Sequence, residues 1–250
     1  MKKMLMAAGM AAVMTACGTA GQKAATDAGN PFLAEYSTPF GVPPFDLIKI
    51  EHYKEAFLKG MEEQKKEIDA IVNQRSVPDF DNTIAAFDQS GELLNKVSTV
   101  FSGLNSCNTN DEMQAFNKEI TPLLSAHRDD ISLNPALFAR VKEVYERREK
   151  LGLDKEQNKL LEETYKKFVR GGANLDSVDQ AKLRQLNSEI SMLQLTFGQN
   201  LLKETNAFEL VIDKKEDLAG LPEVLWHPQP KRLKGQVWKR SGFSLCTIRV

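Results

Sequence analysis

Cysteine and histidine are the scarcest reactive side chains in this 250-residue sequence, with three of each. Cys17, Cys107 and Cys246 show no paired CxxC spacing, which excludes a zinc finger, a thioredoxin-type redox motif and a disulfide framework. His52, His127 and His227 each lie more than seventy residues from the next, so no two share one helix face as metal ligands. A surplus of charge is missing too: 33 basic against 34 acidic residues leave a net charge of -1, which removes the electrostatic argument for a nucleic-acid partner. Beyond the N-terminus no apolar run approaches the roughly 20 residues needed to cross a bilayer. There is no glycine-rich phosphate loop, no GxSxG elbow and no HExxH, so the common nucleotide, serine hydrolase and zinc peptidase signatures all fail. What remains, 42% hydrophobic and 27% charged residues, suffices for a packed core in one large domain or two small ones.

The N-terminus reads as an address. Lys2 and Lys3 precede an apolar stretch from Met4 to Met14, the layout of a secretory signal. Thr15, Ala16, Cys17 and Gly18 resemble the lipobox at which bacterial lipoproteins are cleaved and acylated, with Met14 departing from the usual Leu. Residues 1–16 are therefore expected to be a lipoprotein signal peptide and Cys17 the lipid attachment site. Residues 17–29, rich in Gly, Ala and Thr, should form a flexible tether. The expected location is exported and lipid-anchored, facing the periplasm. The plainer alternative is an ordinary signal cut near Ala16 or Ala20, leaving a soluble periplasmic protein with Cys17 incidental.

From Asn30 onward the apolar residues recur at helical steps. Tyr53, Phe57, Met61, Ile68, Ile71 and Val72 predict a helix over about Ile50–Asn73. Asp81 is expected to cap a second, six-turn helix carrying Ile84, Phe87, Leu94, Val97, Phe101 and Leu104, with Gly91 on its stripe allowing close packing. Asn110 opens a third segment through Met113, Phe116, Ile120 and Leu124, where Pro122 kinks or restarts the helix. Asn134 and Pro135 form a cap and first-turn pair for a helix burying Leu137, Phe138, Val141, Val144 and Tyr145, which Gly152 can close. Asp154 with Gln157 forms a capping box, and Gly171 and Gly172 end that helix. A last helix over about Val178–Lys203 is expected to turn Leu183, Leu186, Ile190, Leu193, Phe197 and Leu201 inward. Only Phe208–Ile212 reads as a strand. The predicted class is all-α, a bundle or layered array with one short strand.

Candidate chemistry is sparse. His52 and Glu55 lie one turn apart, but a metal site needs at least three protein ligands, and a surface ion pair or hydrogen bond accounts for them. His127, beside Arg128, Asp129 and Asp130, reads as a polar helix end. Cys107, next to Asn108 in an expected turn, reads as a small packed side chain. The seven charges in Lys142–Lys150 alternate in sign, as on a solvated face. No catalytic and no metal-ligating residue is assigned.

Six strings nonetheless share one resemblance, in order: NPFL at Asn30–Leu33, DNTIAAFDQSGELLNKV at Asp81–Val97, RREKLGLD at Arg147–Asp154, FVRGGANL at Phe168–Leu175, LNSEISMLQLTFGQNLL at Leu186–Leu202 and DLAGLP at Asp217–Pro222. Together they resemble the N-terminal part of the bacterial peptidyl-dipeptidases (dipeptidyl carboxypeptidases), zinc metallopeptidases of the thimet oligopeptidase and neurolysin group. The resemblance implies that residues 30–222 are a helical peptidase domain walling one side of a deep channel. It also implies a substrate class of short peptides, shortened by two residues from the C-terminus. In that family zinc is held by HExxH and a downstream Glu in the other half of a much longer chain. None of those residues occurs here, so the implied cofactor has no ligands in this chain and the chain is expected to be inactive alone.

Residues 223–250 differ in character. Val224–Val250 holds no Asp or Glu, although 34 acidic residues precede it, and it carries both tryptophans and six basic residues. The resemblance stops near Pro222, and a reading frame shifted by two nucleotides can encode an alanine-rich helix followed by a strand. The expectation is a frameshift near Glu223 that leaves a non-native tail; the alternative is a genuine basic patch at Lys231–Arg240 attracted to anionic lipid. Overall the sequence predicts a lipid-anchored, peptidyl-dipeptidase-like fragment. One rival is a non-catalytic helical peptide-binding or scaffold lipoprotein, and another is a half-enzyme that pairs with a separately encoded catalytic half. Under the leading reading, helices facing the missing catalytic half would leave apolar surface open to water, which makes its stability doubtful.

Overall fold

A 23-residue helix, α1 (Ile50–Val72), is the spine of the fold, and its apolar face passes through two separate cores. The computed structural model describes residues 29–208, 210–212, 219–220 and 246–248. After α1 come α2 (Ala86–Gln89), α3 (Glu92–Cys107), α4 (Asp111–Ser132), α5 (Pro135–Glu146), α6 (Lys155–Arg170) and α7 (Ser177–Ala207). Two three-residue strands, β1 (Leu210–Ile212) and β2 (Cys246–Ile248), pair antiparallel. The fold is all-α with this one small ribbon. Among the described residues no helix is long and apolar enough to cross a membrane. The signal segment 1–16, Cys17, nearly all of the tether and most of the tail lie outside the described residues.

The first core gathers Tyr53 and Phe57 of α1, Val97 and Phe101 of α3, Phe116 and Ile120 of α4, and Phe32 from the N-terminal arm. Its rings meet at 5.1 to 6.5 Å between centroids, Phe57 and Phe101 edge to face, the arrangement ring quadrupoles favour. The second core joins Ile68 and Ile71 to Ile84, Leu137, Val141, Val144, Leu161 and Phe168. Here Arg140 is buried without a carboxylate partner among the described residues. Its guanidinium donates to Asn82 Oδ1 at 3.0 Å, Thr83 Oγ1 at 3.3 Å and the carbonyl oxygens of Gln74 and Ser76, tying α5 to the connector after α1.

Most predicted helix starts are present, for the reason the sequence suggests: a side-chain oxygen accepts an otherwise unpaired first-turn N–H. Asn110 accepts from Met113 N, Asn134 from Ala136 N and Leu137 N, and Asp154 forms the reciprocal box with Gln157. The segment after Pro78 differs. Asp79, not Asp81, is the cap, exchanging hydrogen bonds with Asn82, and the first turns over Phe80–Ala85 are π-helical. The expected six-turn helix is two helices, because Ser90 is extended and Gly91 is left-handed at φ 79°. Glycine suits that left-handed position, and its lack of a side chain leaves room for the Gln64 amide.

Pro122 neither breaks nor restarts α4, which runs through it with Ile120 and Ser125 buried on either side. Helix α5 ends at Glu146 and continues as a 3-10 turn over Arg148–Lys150, so left-handed Gly152 closes that turn rather than the helix. Phe208 caps α7 in extended conformation and the strand starts only at Leu210. The second strand, β2, was not expected from the sequence.

α1 and α3 come close at Gly60, where an added Cβ would sit 2.9 Å from the Leu94 backbone. In an ordinary exposed helix Gly→Ala stabilises by about 1 kcal/mol. Here backbone cannot yield as a side chain can, so Gly60→Ala is expected to lower unfolding free energy in urea by about 1–3 kcal/mol. An unchanged or raised stability would show that the two helices are not in contact at this point.

Candidate functional site

The residues the sequence singles out for chemistry do not converge. His52 sits in the first turn of α1, where its Nδ1 accepts from Lys49 N at 3.1 Å. Glu55 accepts from Asn30 Nδ2 at 3.0 Å, and the same amide donates to the His52 carbonyl at 2.7 Å. The pair therefore fastens the N-terminal arm to α1, each residue with its own partner. Cys107, expected to be packed, is exposed as the last residue of α3, where the helix end projects past the first core. The Lys142–Lys150 run is a solvated face as expected, with Lys142–Glu146 and Glu143–Arg147 ion pairs one turn apart.

His127 lies near the C-terminal end of α4, half-buried against α1. Gln64 Nε2 donates to the Ser90 carbonyl at 3.4 Å, so Gln64 Oε1 is left to accept from His127 Nε2 at 2.8 Å. That places a proton on His127 Nε2. Burial holds the His127 pKa below its ordinary value of 6.5, with Asp130 pulling it up and Lys65 pushing it further down. Beside it a shallow cleft of about 470 Å³ is lined by Gln64, Ser90, Gly91, Glu92, Asn95 and neighbours. It gathers amides, hydroxyls and surface carboxylates, without a nucleophile and base in reach of each other.

The largest departure from expectation is α7. Among its described side chains none is buried, and Leu186, Ile190, Leu193, Phe197 and Leu201 are 52, 48, 68, 70 and 57% exposed. The helix is turned polar side in. Asn187 Nδ2 donates to Asp129 Oδ1 at 2.8 Å, Arg184 to Asp130 at 2.8 Å and Gln199 to Gln114 at 2.8 Å; Ser191 Oγ donates its one proton to the Asn187 carbonyl at 2.8 Å and lies 3.2 Å from Ser125 Oγ, from which it accepts. Asp129 and Ser125 are 3 and 1% exposed, so these partners on α7 satisfy them and orient α7 antiparallel on α4. Leu183 alone of the predicted inward set is half-buried, against the Gly172 turn. Four polar positions of α7 facing polar groups of α4, two of them buried, were the signal available in the sequence, but it cannot be told from a solvated face until the partner helix is placed.

No protein-family model matches the chain. It is 43% identical over 194 residues to the dipeptidyl carboxypeptidase of Escherichia coli (strain K12), covering 78% of this chain and 28% of that protein. Identity to the dipeptidyl carboxypeptidase of Salmonella typhimurium is also 43%, over 197 residues and 29% of that protein. Oligopeptidase A of Haemophilus influenzae is 27% identical over 185 residues, 73% of this chain and 27% of that protein. Over the matched stretch the chain belongs to the dipeptidyl carboxypeptidase and oligopeptidase family. It spans less than a third of the length of these relatives.

The residues present do not fit a zinc peptidase centre. His52 and the His127 contact at Gln64 are twelve residues apart on α1, about 18 Å along the helix, and no three of the described His, Cys, Asp or Glu side chains converge.

His127 generates a pH prediction. A histidine whose folded pKa lies below its unfolded value stabilises the fold fully above about pH 6.5, and this contribution falls away as pH drops toward the folded pKa. The urea midpoint of the chain should decline from pH 7.5 to 5.5, and His127→Gln should flatten that slope. An equal slope in both proteins would contradict the burial assigned to His127.

Proposed function

We propose that this chain is the helical part of a peptidyl-dipeptidase-like zinc metallopeptidase, a fold that removes C-terminal dipeptides from short peptides. The observation that carries the reading is the 43% identity to two dipeptidyl carboxypeptidases over nearly four-fifths of the chain. The helices of the two cores would then form one wall of the peptide channel. Zinc and the acid-base groups of such a centre require an HExxH-type ligand set, and these 250 residues contain none. Hydrolysis accordingly needs residues from further polypeptide, either continuous with this stretch or separately made. The N-terminal pattern Lys2, Lys3, Met4–Met14 and Thr15–Cys17 supports export and acylation at Cys17, placing the domain at a membrane surface facing the periplasm.

The purified 250-residue chain is expected to bind less than stoichiometric zinc and to release no dipeptide from a short blocked peptide. Replacing the matched 28% of the Escherichia coli dipeptidyl carboxypeptidase with residues 30–212 of this chain is expected to give dipeptide release. A folded graft without activity contradicts the peptidase reading, and activity from the 250-residue chain alone contradicts the assignment of the catalytic groups elsewhere. Incorporation of labelled palmitate into the expressed chain, lost in Cys17→Ser, tests the anchor; equal labelling of both proteins, or labelling of neither, contradicts it.

A further inference from the structure

Between Ser37 and Ile48 the chain carries one charge, Asp46, and three prolines, Pro39, Pro43 and Pro44. Its apolar side chains are turned out: Phe40 is fully exposed, and Val42, Phe45 and Leu47 are exposed with it. Phe40 is also left-handed, at φ 59° and ψ 16°, a conformation that an aromatic residue rarely takes. The loop is nonetheless braced. Thr38 Oγ1 donates to the Val42 carbonyl, Gly41 N to the Thr38 carbonyl at 3.1 Å and Leu47 N to the Pro44 carbonyl at 2.9 Å, while the proline rings fix φ. Both stems are fastened as well. The Lys96 ammonium lies 3.8 Å over the Tyr36 ring and donates to the Phe32 and Ala34 carbonyls at 3.2 and 3.0 Å, and Ile48 packs on the first core. A braced loop that holds two phenylalanines, a valine and a leucine in water marks an interaction surface.

Its place in the fold says what that surface meets. The loop closes on Lys49, the cap of α1, and Asn30 donates to the His52 carbonyl and to Glu55 in the first two turns of the same helix. The described chain thus enters at the end of α1 that carries the loop. Cys17 lies thirteen residues before Asn30, a length that spans about 20 Å at random-coil dimensions, against about 34 Å for α1. An acyl group on Cys17 brings this end of the helix, rather than the end at Val72, up to a bilayer.

We propose that Phe40, Val42, Phe45 and Leu47 insert into the interfacial layer of the membrane that holds Cys17, a second contact that orients the domain with the start of α1 toward lipid. The inference rests on the acylation reading above. Apolar and aromatic side chains gain by leaving water at headgroup level, and one charge in twelve residues leaves little to desolvate. With no Lys or Arg between Ser37 and Ile48, the contact needs no anionic lipid.

The chain has two tryptophans, so Phe40→Trp in a Trp226→Phe, Trp238→Phe background is a single reporter. The 250-residue chain, with Cys107→Ser and Cys246→Ser, is coupled through Cys17 to a maleimide lipid in phosphatidylcholine vesicles, with and without lipid brominated in its acyl chains. Quenching of about twofold or more is expected at position 40, and none for Glu149→Trp, which lies beside the second core. No quenching at position 40, or equal quenching at both positions, would overturn the proposal. So would much slower alkylation of Phe40→Cys in the soluble Escherichia coli graft than in the 250-residue chain, which would mean that polypeptide covers the loop. Palmitate uptake by the expressed chain without quenching at position 40 sinks this inference and leaves the acylation reading standing. Quenching in a chain that takes up no palmitate does the reverse.

Discussion

Two buried polar contacts decide how this domain is presented to its surroundings. Asp129 and Ser125 sit one turn apart on α4, both withdrawn from water, and their partners Asn187 and Ser191 sit one turn apart on α7. A buried carboxylate without donors costs several kcal/mol. In the observed rotation of α7 the buried α4 groups are hydrogen-bonded, and the apolar residues from Leu186 to Leu201 face outward.

The two cores play a different part. α1 threads both and meets α3 at Gly60 closely enough that the helices share backbone contact. Arg140 then holds the π-helical turn at Phe80–Ala85 against α5. These contacts make a framework with apolar interiors of its own on one side of α4, while α7 lies on the other with its apolar face free.

Helix starts could be read from the sequence because they are local: Asn110, Asn134 and Asp154 satisfy N–H groups two or three residues away. The break at Gly91 could not, because the apolar periodicity runs on across it, and only the backbone shows Ser90 extended and Gly91 left-handed. Asp79 and Asp81 offer equivalent carboxylates, and only the reciprocal bond with Asn82 chooses between them. The stripe on α7 was visible as a stripe; its direction was not, since periodicity states that one face is apolar and is silent about where that face points. The family resemblance, by contrast, rested on strings spread from Asn30 to Pro222, and the 43% identity over 194 residues agrees with it.

The central claim is that polar bonding, not apolar burial, sets the rotation of α7. A double-mutant cycle on Asp129→Ala and Asn187→Ala, followed by urea unfolding of the 250-residue chain, measures it most directly. The account predicts a coupling on the order of 1–2 kcal/mol between the two positions. Coupling indistinguishable from zero would mean that α7 does not rest on α4 through this face, and the outward direction of the stripe would fall with it.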